Sequence, residues 1–281
     1  MKSEFLKNIL VPIDTSDSSI MAEETAAKIA KKTGANVTVL HVITEIRMKY
    51  QIPQNLRDEL YGKIEQDADR TISNAQALFS EEKVKMSAEK DGGSDPADNI
   101  LKFSEKNFDL VVIGAHGETE KDEYALGSVT KKVMMHTTVP TLIVKRVSNL
   151  SNLLVCVDGS EQSINALNYA VKLAEKMDSK VTLLNVQERR LGELSPKIAK
   201  EQSEKIFTNA LSGIEKGKSK AYTKLEIGSP SDKIAEVAER GKYDLIVLGN
   251  RGLGTVKRFL LGSVSDDVSH KAKCSVLIVP P

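Results

Sequence analysis

Residues 109–117, DLVVIGAHG, decide the fold, because the same pattern returns as DLIVLGNRG at residues 244–252. In both stretches an apolar, β-branched run of strand length ends in a glycine, and a second glycine follows three positions later. Nine further residues lead to a Gly-Ser pair, at Gly127 in the first copy and at Gly262 in the second. A buried strand, a glycine loop and a helix start are therefore predicted twice in one chain.

The duplication extends over almost the whole chain of 281 residues. Residues 7–32 align without gaps on residues 151–176, which lie 144 positions later, and near the end of each copy the offset falls to 135. Repeats of this length are whole domains rather than solenoid units, and the chain length also suggests two domains at roughly 100–200 residues each. We predict one domain at residues 1–147 and a second at residues 151–281, joined by a short linker.

Within each copy, short apolar runs alternate with helical patterns. Ile9–Ile13 reads as a buried strand, and the helix after it, which ends near Gly34, is predicted to place Ile20, Ala26, Ala27 and Ile29 on one face. Buried strands separated by helices indicate a parallel sheet with right-handed crossovers. The fold class is therefore predicted to be α/β, as two tandem doubly wound domains, each a five-stranded parallel sheet with helices on both faces.

Composition excludes several classes of function. Lys and Arg number 40 and Asp and Glu 39, a net charge of +1, so the chain has no overall basic footprint for nucleic acid or an anionic membrane. Two cysteines, Cys156 and Cys274, cannot build a disulfide framework or a thiolate zinc cluster, and both are expected to pack as small apolar side chains. Without a signal-peptide core or a membrane-length apolar run, the expected location is the cytoplasm.

Ligands of open parallel sheets bind beyond the carboxyl ends of the strands, and features of both copies meet there. Asp14 and Asp158 directly follow the first strand of each copy, and the second strands end at Val42 and Val186. These aspartates could bind a ligand or could simply cap the following helix. The sequence predicts a crevice at this edge in each half.

The glycine loops give that crevice its chemistry. Gly114 and Gly249 are predicted to allow a tight turn with positive φ and a close backbone approach. The Gly-Ser pairs open a helix, where free backbone N–H groups and the helix dipole favour an anion. The loops are therefore predicted to hold phosphate, although they could also be plain connections without a ligand.

The spacing Gly-x2-Gly-x9-Gly-Ser, placed between DLxVxG and a helix followed by LIV, resembles the universal stress protein family. The resemblance covers each half once. The chain resembles the tandem, ATP-binding members of that family, which have the adenine nucleotide alpha hydrolase-like fold. It implies that the glycine loop binds the ribose and the phosphates and that the aspartate after the first strand binds the adenosine end. The backbone of the valine that ends the second strand would bind adenine. The N-terminal residues carried over by position are Pro12, Asp14, Val42, Gly114, His116, Gly117, Gly127, Ser128, Val129 and Thr130. The C-terminal residues are Asp158, Val186, Gly249, Arg251, Gly252, Gly262, Ser263, Val264 and Ser265.

The resemblance also implies the ligands and the role. The cofactor would be ATP, with ADP or AMP as alternatives, and Mg²⁺ would accompany the phosphates. The protein would be a nucleotide-dependent regulatory or binding module in a stress response, acting on an unknown protein partner. The alternative is an interaction module of the same fold without nucleotide. The closing strands of the halves would pair with each other, as they do across the two-fold interface of single-domain members, and a further homodimer stays open.

No nucleophilic constellation or general base recurs in both halves, so the sequence favours a binding protein over an enzyme. Slow ATP hydrolysis or autophosphorylation stays open.

The two copies differ beside the loops. The stretch 118–126 carries a net charge of −3, whereas 253–261 carries +2, and Cys156 stands where the first copy has Pro12. Because the phosphates of ATP are strongly anionic, we expect the C-terminal site to bind more tightly if these side chains face the ligand.

Overall fold

The computed structural model describes residues 5–44, 53–117, 126–188, 195–212, 221–252 and 261–281. The elements of the N-terminal half are β1 (Asn8–Ile13), α1 (Asp17–Thr33), β2 (Asn36–Thr44), α2 (Gln54–Glu81), β3 (Met86–Gly93), α3 (Pro96–Ser104), β4 (Leu110–Gly114), α4 (Ser128–His136) and β5 (Thr141–Val144). Those of the C-terminal half are β6 (Asn152–Cys156), α5 (Glu161–Met177), β7 (Lys180–Gln187), α6 (Pro196–Ser212), β8 (Ala221–Ile227), α7 (Pro230–Arg240), β9 (Leu245–Gly249), α8 (Ser263–Lys271) and β10 (Ser275–Val279). The predicted alternation of strands and helices is confirmed in both halves.

The strands form one sheet in the order β3-β2-β1-β4-β5-β10-β9-β6-β7-β8. Each half contributes five parallel strands, and the halves join where β5 pairs antiparallel with β10, with Ile143 opposite Val276. The pairing predicted for the closing strands is therefore present within one chain. Because the direction reverses at this junction, the carboxyl ends of the strands point to opposite edges of the sheet in the two halves.

Helix α1 follows the predicted pattern except at its first turn. The Ser16 hydroxyl caps it, and Gly34 ends it in the left-handed conformation with a φ of 79°. Ala26 and Ile29 are fully buried, but Ile20 is 44% exposed, so the prediction for Ile20 was wrong. At 100° per residue, nine positions place Ile20 half a turn away from Ile29, and the two cannot share one face.

Helix α2 packs one stripe on the sheet. Ala68, Ile72, Ala75 and Phe79, which recur every three or four positions, are buried. Ile72, Ala75 and Phe79 belong to an apolar cluster of buried residues that runs through both halves on this face of the sheet.

Side chains also cross the junction between the halves. Tyr169 donates a hydrogen bond from its hydroxyl to the Asp109 carbonyl oxygen at 3.3 Å, and its ring packs edge-on against Phe5 at 4.9 Å between centroids. Lys145 donates to the carbonyl oxygens of His270 and Ala272, at 3.2 and 2.7 Å. The halves therefore share polar and apolar contacts. The domain boundaries at residues 147 and 151 stay a prediction.

Both cysteines are buried and unbridged, as expected. None of the helices in the described ranges combines the length and the apolar composition that crossing a bilayer would need.

Candidate functional site

A cavity of about 540 Å³ opens at the carboxyl ends of β6, β7 and β9, next to the start of α8. It brings together all nine residues predicted for the C-terminal half. They are Asp158, Val186, Gly249, Arg251, Gly252, Gly262, Ser263, Val264 and Ser265.

A second cavity, of about 370 Å³, occupies the corresponding place in the N-terminal half. All ten residues predicted there line it. They are Pro12, Asp14, Val42, Gly114, His116, Gly117, Gly127, Ser128, Val129 and Thr130. Because the sheet reverses at β5 and β10, the two cavities lie at opposite edges of the molecule.

Each cavity contains the N-terminus of a helix that no side chain caps. Gly127 and Gly262 occupy the cap positions of α4 and α8, and neither helix start has a side-chain cap hydrogen bond. The first-turn N–H groups of a helix have no partner within the helix and carry the positive end of its dipole. The hydroxyls of Ser128 and Ser263 are exposed beside them. This arrangement can hold an anionic group.

Two of the predicted side chains connect these helices to the neighbouring strands. The hydroxyls of Thr130 and Ser265 are buried and donate to the carbonyl oxygens of Gly114 and Gly249, at 2.7 and 2.8 Å. These bonds tie the first turn of α4 and of α8 to the end of the neighbouring strand. Thr130 and Ser265 can therefore meet a ligand best through their backbone N–H groups.

The glycines that end β4 and β9 are needed for a different reason from the one predicted. Neither Gly114 nor Gly249 has a positive φ, so that part of the prediction was wrong. The close approach is present, but it is to protein backbone. A Cβ on Gly114 would lie 2.7 Å from the Ser18 carbonyl oxygen, and one on Gly249 would lie 2.8 Å from that of Gln162. Any side chain here would push the strand end away from the first turn of α1 or α5.

The two aspartates shape the loop rather than cap the helix. Oδ1 of Asp14 accepts from the backbone N–H of Ser16 at 2.9 Å, and Oδ1 of Asp158 accepts from that of Ser160 at 2.9 Å. Ser16 and Ser160 are the caps of α1 and α5. The alternative of a simple helix cap is therefore wrong for both aspartates.

The other carboxylate oxygen reaches the glycine loop. A Cβ on Gly252 would lie 2.5 Å from Asp158 Oδ2, and one on Gly117 would lie 3.0 Å from Asp14 Oδ2. The second glycine of each loop therefore gives the aspartate room at the cavity wall.

His116 lies in the glycine loop of the N-terminal cavity. Its backbone N–H donates to the Ser18 hydroxyl at 3.3 Å. Its side-chain Nδ1 is buried and has no hydrogen-bond partner in the described structure. Unsatisfied buried polar atoms are uncommon, so this nitrogen is a candidate hydrogen-bonding group at the wall of the cavity.

A buried carboxyl group distinguishes the N-terminal half. Glu23 is 5% exposed and accepts a hydrogen bond from the hydroxyl of Ser19, a residue that lines the cavity. Burial raises the pKa of Glu23 to about 7, and the nearby Asp14 carboxylate adds to the rise. The aligned residue of the second copy is Leu167. Sequence analysis missed this difference, which the alignment of the copies could have revealed.

Cys156 takes the place of Pro12 in the wall of the C-terminal cavity. Burial raises the pKa of its thiol far above the ordinary value. The thiol stays protonated at neutral pH and contributes an apolar surface rather than a nucleophile.

A polar network in β7 was also missed. Asn185 and Gln187 line the C-terminal cavity, and both bond to Ser203 of α6 or to each other. Polar residues at alternate positions of an otherwise apolar strand were the available signal.

The loop charges that favoured the C-terminal site all lie outside the described residues, which exclude 118–125 and 253–260. Within the described ranges, no group of three or more His, Cys, Asp and Glu side chains could hold a metal ion.

The molecule is thus a tandem doubly wound α/β protein in which each of two strand-edge cavities contains a helix start that no side chain caps. The model of the universal stress protein family matches residues 6–145 and 149–280, and the chain belongs to that family.

Individual relatives agree. A Staphylococcus aureus protein that carries the universal stress protein name is 36% identical over 137 residues, which are 46% of this chain and 82% of that protein. A universal stress protein structure from Archaeoglobus fulgidus shares the fold over 99% of both chains, with a TM-score of 0.75 and 24% identity. A Pseudomonas aeruginosa structure of the same family name covers 98% of this chain and 94% of its own, with a TM-score of 0.69 and 16% identity.

Proposed function

We propose that the protein is an ATP-binding stress-response module in which each cavity can hold an adenine nucleotide, with ADP or AMP as alternatives to ATP. The observation that carries the proposal is that α4 and α8 each start inside a cavity without a side-chain cap. Beside each start lies a glycine at which a Cβ would come within 3.0 Å of an aspartate oxygen. Backbone N–H groups at a helix start suit phosphate oxygens.

Different residues of each cavity would bind different parts of the nucleotide. The first-turn N–H groups and the hydroxyls of Ser128 or Ser263 would hold phosphates, while Asp14 or Asp158 would accept from ribose hydroxyls. Mg²⁺ would accompany the phosphates and keep several waters, as it does where the protein provides few ligands. The ion would neutralise phosphate charge, and we propose nucleotide binding rather than rapid hydrolysis as the role of both cavities.

Nucleotide binding would act as a switch. A ligand shifts a conformational equilibrium only through different affinities for two states, and the helix starts of α4 and α8 are where a phosphate would create that difference. The nucleotide-bound state would then favour docking to a protein partner, with the cytoplasm as the proposed compartment. No membrane or nucleic acid enters the proposal.

The test disables the cavities one at a time. Gly252→Val with Gly262→Val should abolish ATP binding by the C-terminal cavity, because a side chain at 252 meets Asp158 and one at 262 lies 3.3 Å from the Arg251 Cα atom. Gly117→Val with Gly127→Val does the same for the N-terminal cavity. Isothermal titration of each double variant and of the combined variant measures the remaining affinity.

Gly62→Ala is the matched control, because a Cβ at this glycine of α2 meets nothing within 4 Å. ATP affinity should be unchanged in the control and lost in the combined variant while circular dichroism shows intact folding. Full ATP affinity in the combined variant would contradict the proposed placement. A wild-type protein that binds no nucleotide and releases none on denaturation would favour the interaction module instead.

A further inference from the structure

Glu23 is the one acidic or basic side chain that is buried in the described part of the chain. It is 5% exposed, whereas the other Asp, Glu, Lys, Arg and His side chains of those ranges are half-buried or exposed. Burial of a carboxylate without a basic partner costs free energy, and carboxyl groups in such surroundings are often functional. Glu23 is therefore a candidate functional residue.

The charged groups that face Glu23 are both negative. They are Asp14, at the end of β1, and Glu24, the next residue of α1, and both raise the pKa of Glu23. Among the elements packed against α1, the strands β1, β4 and β5 carry no charged side chain, and the charged side chains of α2 and α5 are exposed. Strand β2 contributes His41, which bonds through Nδ1 to the carbonyl oxygen of Ile13 at 3.1 Å. Negative charge on Glu23 is therefore disfavoured.

Two hydrogen bonds join Glu23 to the N-terminal cavity. The backbone N–H of Asp14 donates to the Ser19 hydroxyl oxygen at 3.1 Å, and that hydroxyl donates to Glu23 Oε1 at 3.3 Å. Asp14 and Ser19 both line the cavity. A carboxylate can only accept, so while Glu23 is charged the Ser19 proton stays directed at Glu23 rather than at a ligand.

Protonation of Glu23 changes what this wall of the cavity offers to an anion. A neutral carboxyl group can donate its own proton to the Ser19 oxygen, which allows the serine proton to turn to a ligand oxygen. Protonation also removes a negative charge beside Asp14, and like charges repel more strongly where water is excluded. Both changes favour an anion in the cavity.

We propose that the N-terminal cavity is a proton-linked nucleotide site, in which protonation of Glu23 strengthens binding of the anionic ligand and binding takes up a proton. The inference rests on the proposed function and adds its regulation by pH. Ligand and proton favour each other's binding by the same factor, since linkage is reciprocal. Because burial raises the pKa of Glu23 to about 7, affinity is highest below pH 7 and falls as the pH rises above it.

The C-terminal cavity lacks this proton site. Leu167 is aligned with Glu23, and it can neither titrate nor accept a hydrogen bond. Ser163, which is aligned with Ser19, donates from its hydroxyl to the Ser160 carbonyl oxygen at 2.9 Å instead. The two cavities of one chain therefore differ in their dependence on pH.

The experiment measures ATP affinity by isothermal titration of the full chain with the C-terminal cavity disabled by Gly252→Val and Gly262→Val. Glu23→Gln, which keeps an acceptor for Ser19 and stays neutral, is compared with this parent at about pH 5.5 and about pH 8.5. The terminal phosphate of ATP also titrates, but it does so equally for both proteins, so the ratio of their affinities reports Glu23. We expect Glu23→Gln to bind ATP about threefold to tenfold more tightly than the parent at the higher pH and equally at the lower pH.

Two controls separate the charge of Glu23 from other effects. Glu24→Gln removes the neighbouring carboxylate of α1 and should keep the pH dependence of the parent. In the chain with the N-terminal cavity disabled by Gly117→Val and Gly127→Val, Glu23→Gln should leave ATP affinity unchanged at both pH values. If Glu23→Gln does not fold, Glu23→Leu, which copies Leu167, provides the same comparison.

The outcomes separate the two claims. An affinity ratio of Glu23→Gln to its parent that is the same at both pH values overturns the proton linkage while nucleotide binding stands. A loss of pH dependence in Glu24→Gln as large as that in Glu23→Gln overturns the assignment to Glu23. Absence of ATP binding by the unmodified protein at both pH values overturns the proposed function and the linkage together.

Discussion

At the scale of single residues, the backbone contacts of Gly114 and Gly249 fix how closely each sheet approaches its first helix. Both strand ends lie so near to α1 or α5 that a Cβ would meet carbonyl oxygens at 2.7 or 2.8 Å. Backbone atoms of a packed helix cannot move aside as the end of a long side chain can. Glycine is therefore required at these two positions mainly for the packing of the strand end on the helix, and less for the shape of the cavity.

Gly249→Ala should destabilise the protein by about 1–3 kcal/mol, the usual cost of overpacking. Gly62→Ala, in the exposed face of α2, should instead stabilise by about 0.5–1 kcal/mol, because alanine is the better helix former. Urea unfolding followed by circular dichroism compares the two. Equal free energies of unfolding for both variants would contradict the packing argument.

Glu23 makes stability depend on pH. Its pKa rises from 4.5 to about 7 on folding, so between these values the folded protein binds more protons than the unfolded chain. Stability therefore falls as the pH rises from 4.5 to 7, and the full cost is present above pH 7. A shift of this size corresponds to about 3 kcal/mol.

Glu23→Gln keeps an acceptor for Ser19 and removes the titration. The variant should be more stable than the parent at pH 8 by about 1–3 kcal/mol, and the difference should vanish near pH 4.5. Glu24→Gln, one residue along the same helix, controls for the loss of one carboxylate. Thermal unfolding across this pH range provides the measurement, and parallel curves for parent and Glu23→Gln would rule out the assignment.

At the scale of elements, α8 is held at both ends. Ser265 ties its first turn to the end of β9, and Lys145 from the other half donates to the carbonyl oxygens of its last turn. A cation at a helix C-terminus also interacts favourably with the dipole. In the first half, α4 has the Thr130 tie, but the residue aligned with Lys145 is Pro280, which offers no side-chain donor.

Lys145→Met should therefore destabilise the protein by about 1–2 kcal/mol, since two carbonyl oxygens lose a half-buried donor. Lys63→Met removes an exposed pair with Glu59 on α2 and should cost less than about 0.5 kcal/mol. Denaturant midpoints for the two variants decide the matter. A cost for Lys145→Met no larger than that for Lys63→Met would show that the cross-junction bonds contribute nothing.

At the scale of the whole molecule, the junction of β5 and β10 turns two domains into one sheet. Separation would expose a hydrophobic strand edge in each half, and such edges recruit other strands. It would also uncover the face where Tyr169 meets Phe5 and Asp109. The shared sheet therefore stabilises the two halves against separation.

A fragment of residues 151–281 should consequently form a dimer through β10, replacing the lost β5 with a second copy. Light scattering coupled to gel filtration would give its mass at micromolar concentration, with the full chain as the reference. A stable, folded and monomeric fragment would show that β10 does not need a partner strand.

Much of this protein follows from local sequence. The alternation of apolar runs and helical stripes fixed the class of the fold, since period and burial are properties of each segment alone. The duplication and the glycine spacing also located both cavities, because carboxyl ends of parallel strands must meet at one edge. The pairing of the closing strands was anticipated from the resemblance to the family, and their apolar character alone indicated only an edge that needs cover.

Other features needed the tertiary structure. The reason for Gly114 and Gly249 is a distance to another element, and the role of Asp14 depends on Ser16 being the cap. The burial of Glu23, and with it the raised pKa, depends on how α1 packs on the sheet and on α2. A sequence determines which groups can donate, accept or pack. Only the folded chain decides which of them meet, because those contacts join residues far apart along the backbone.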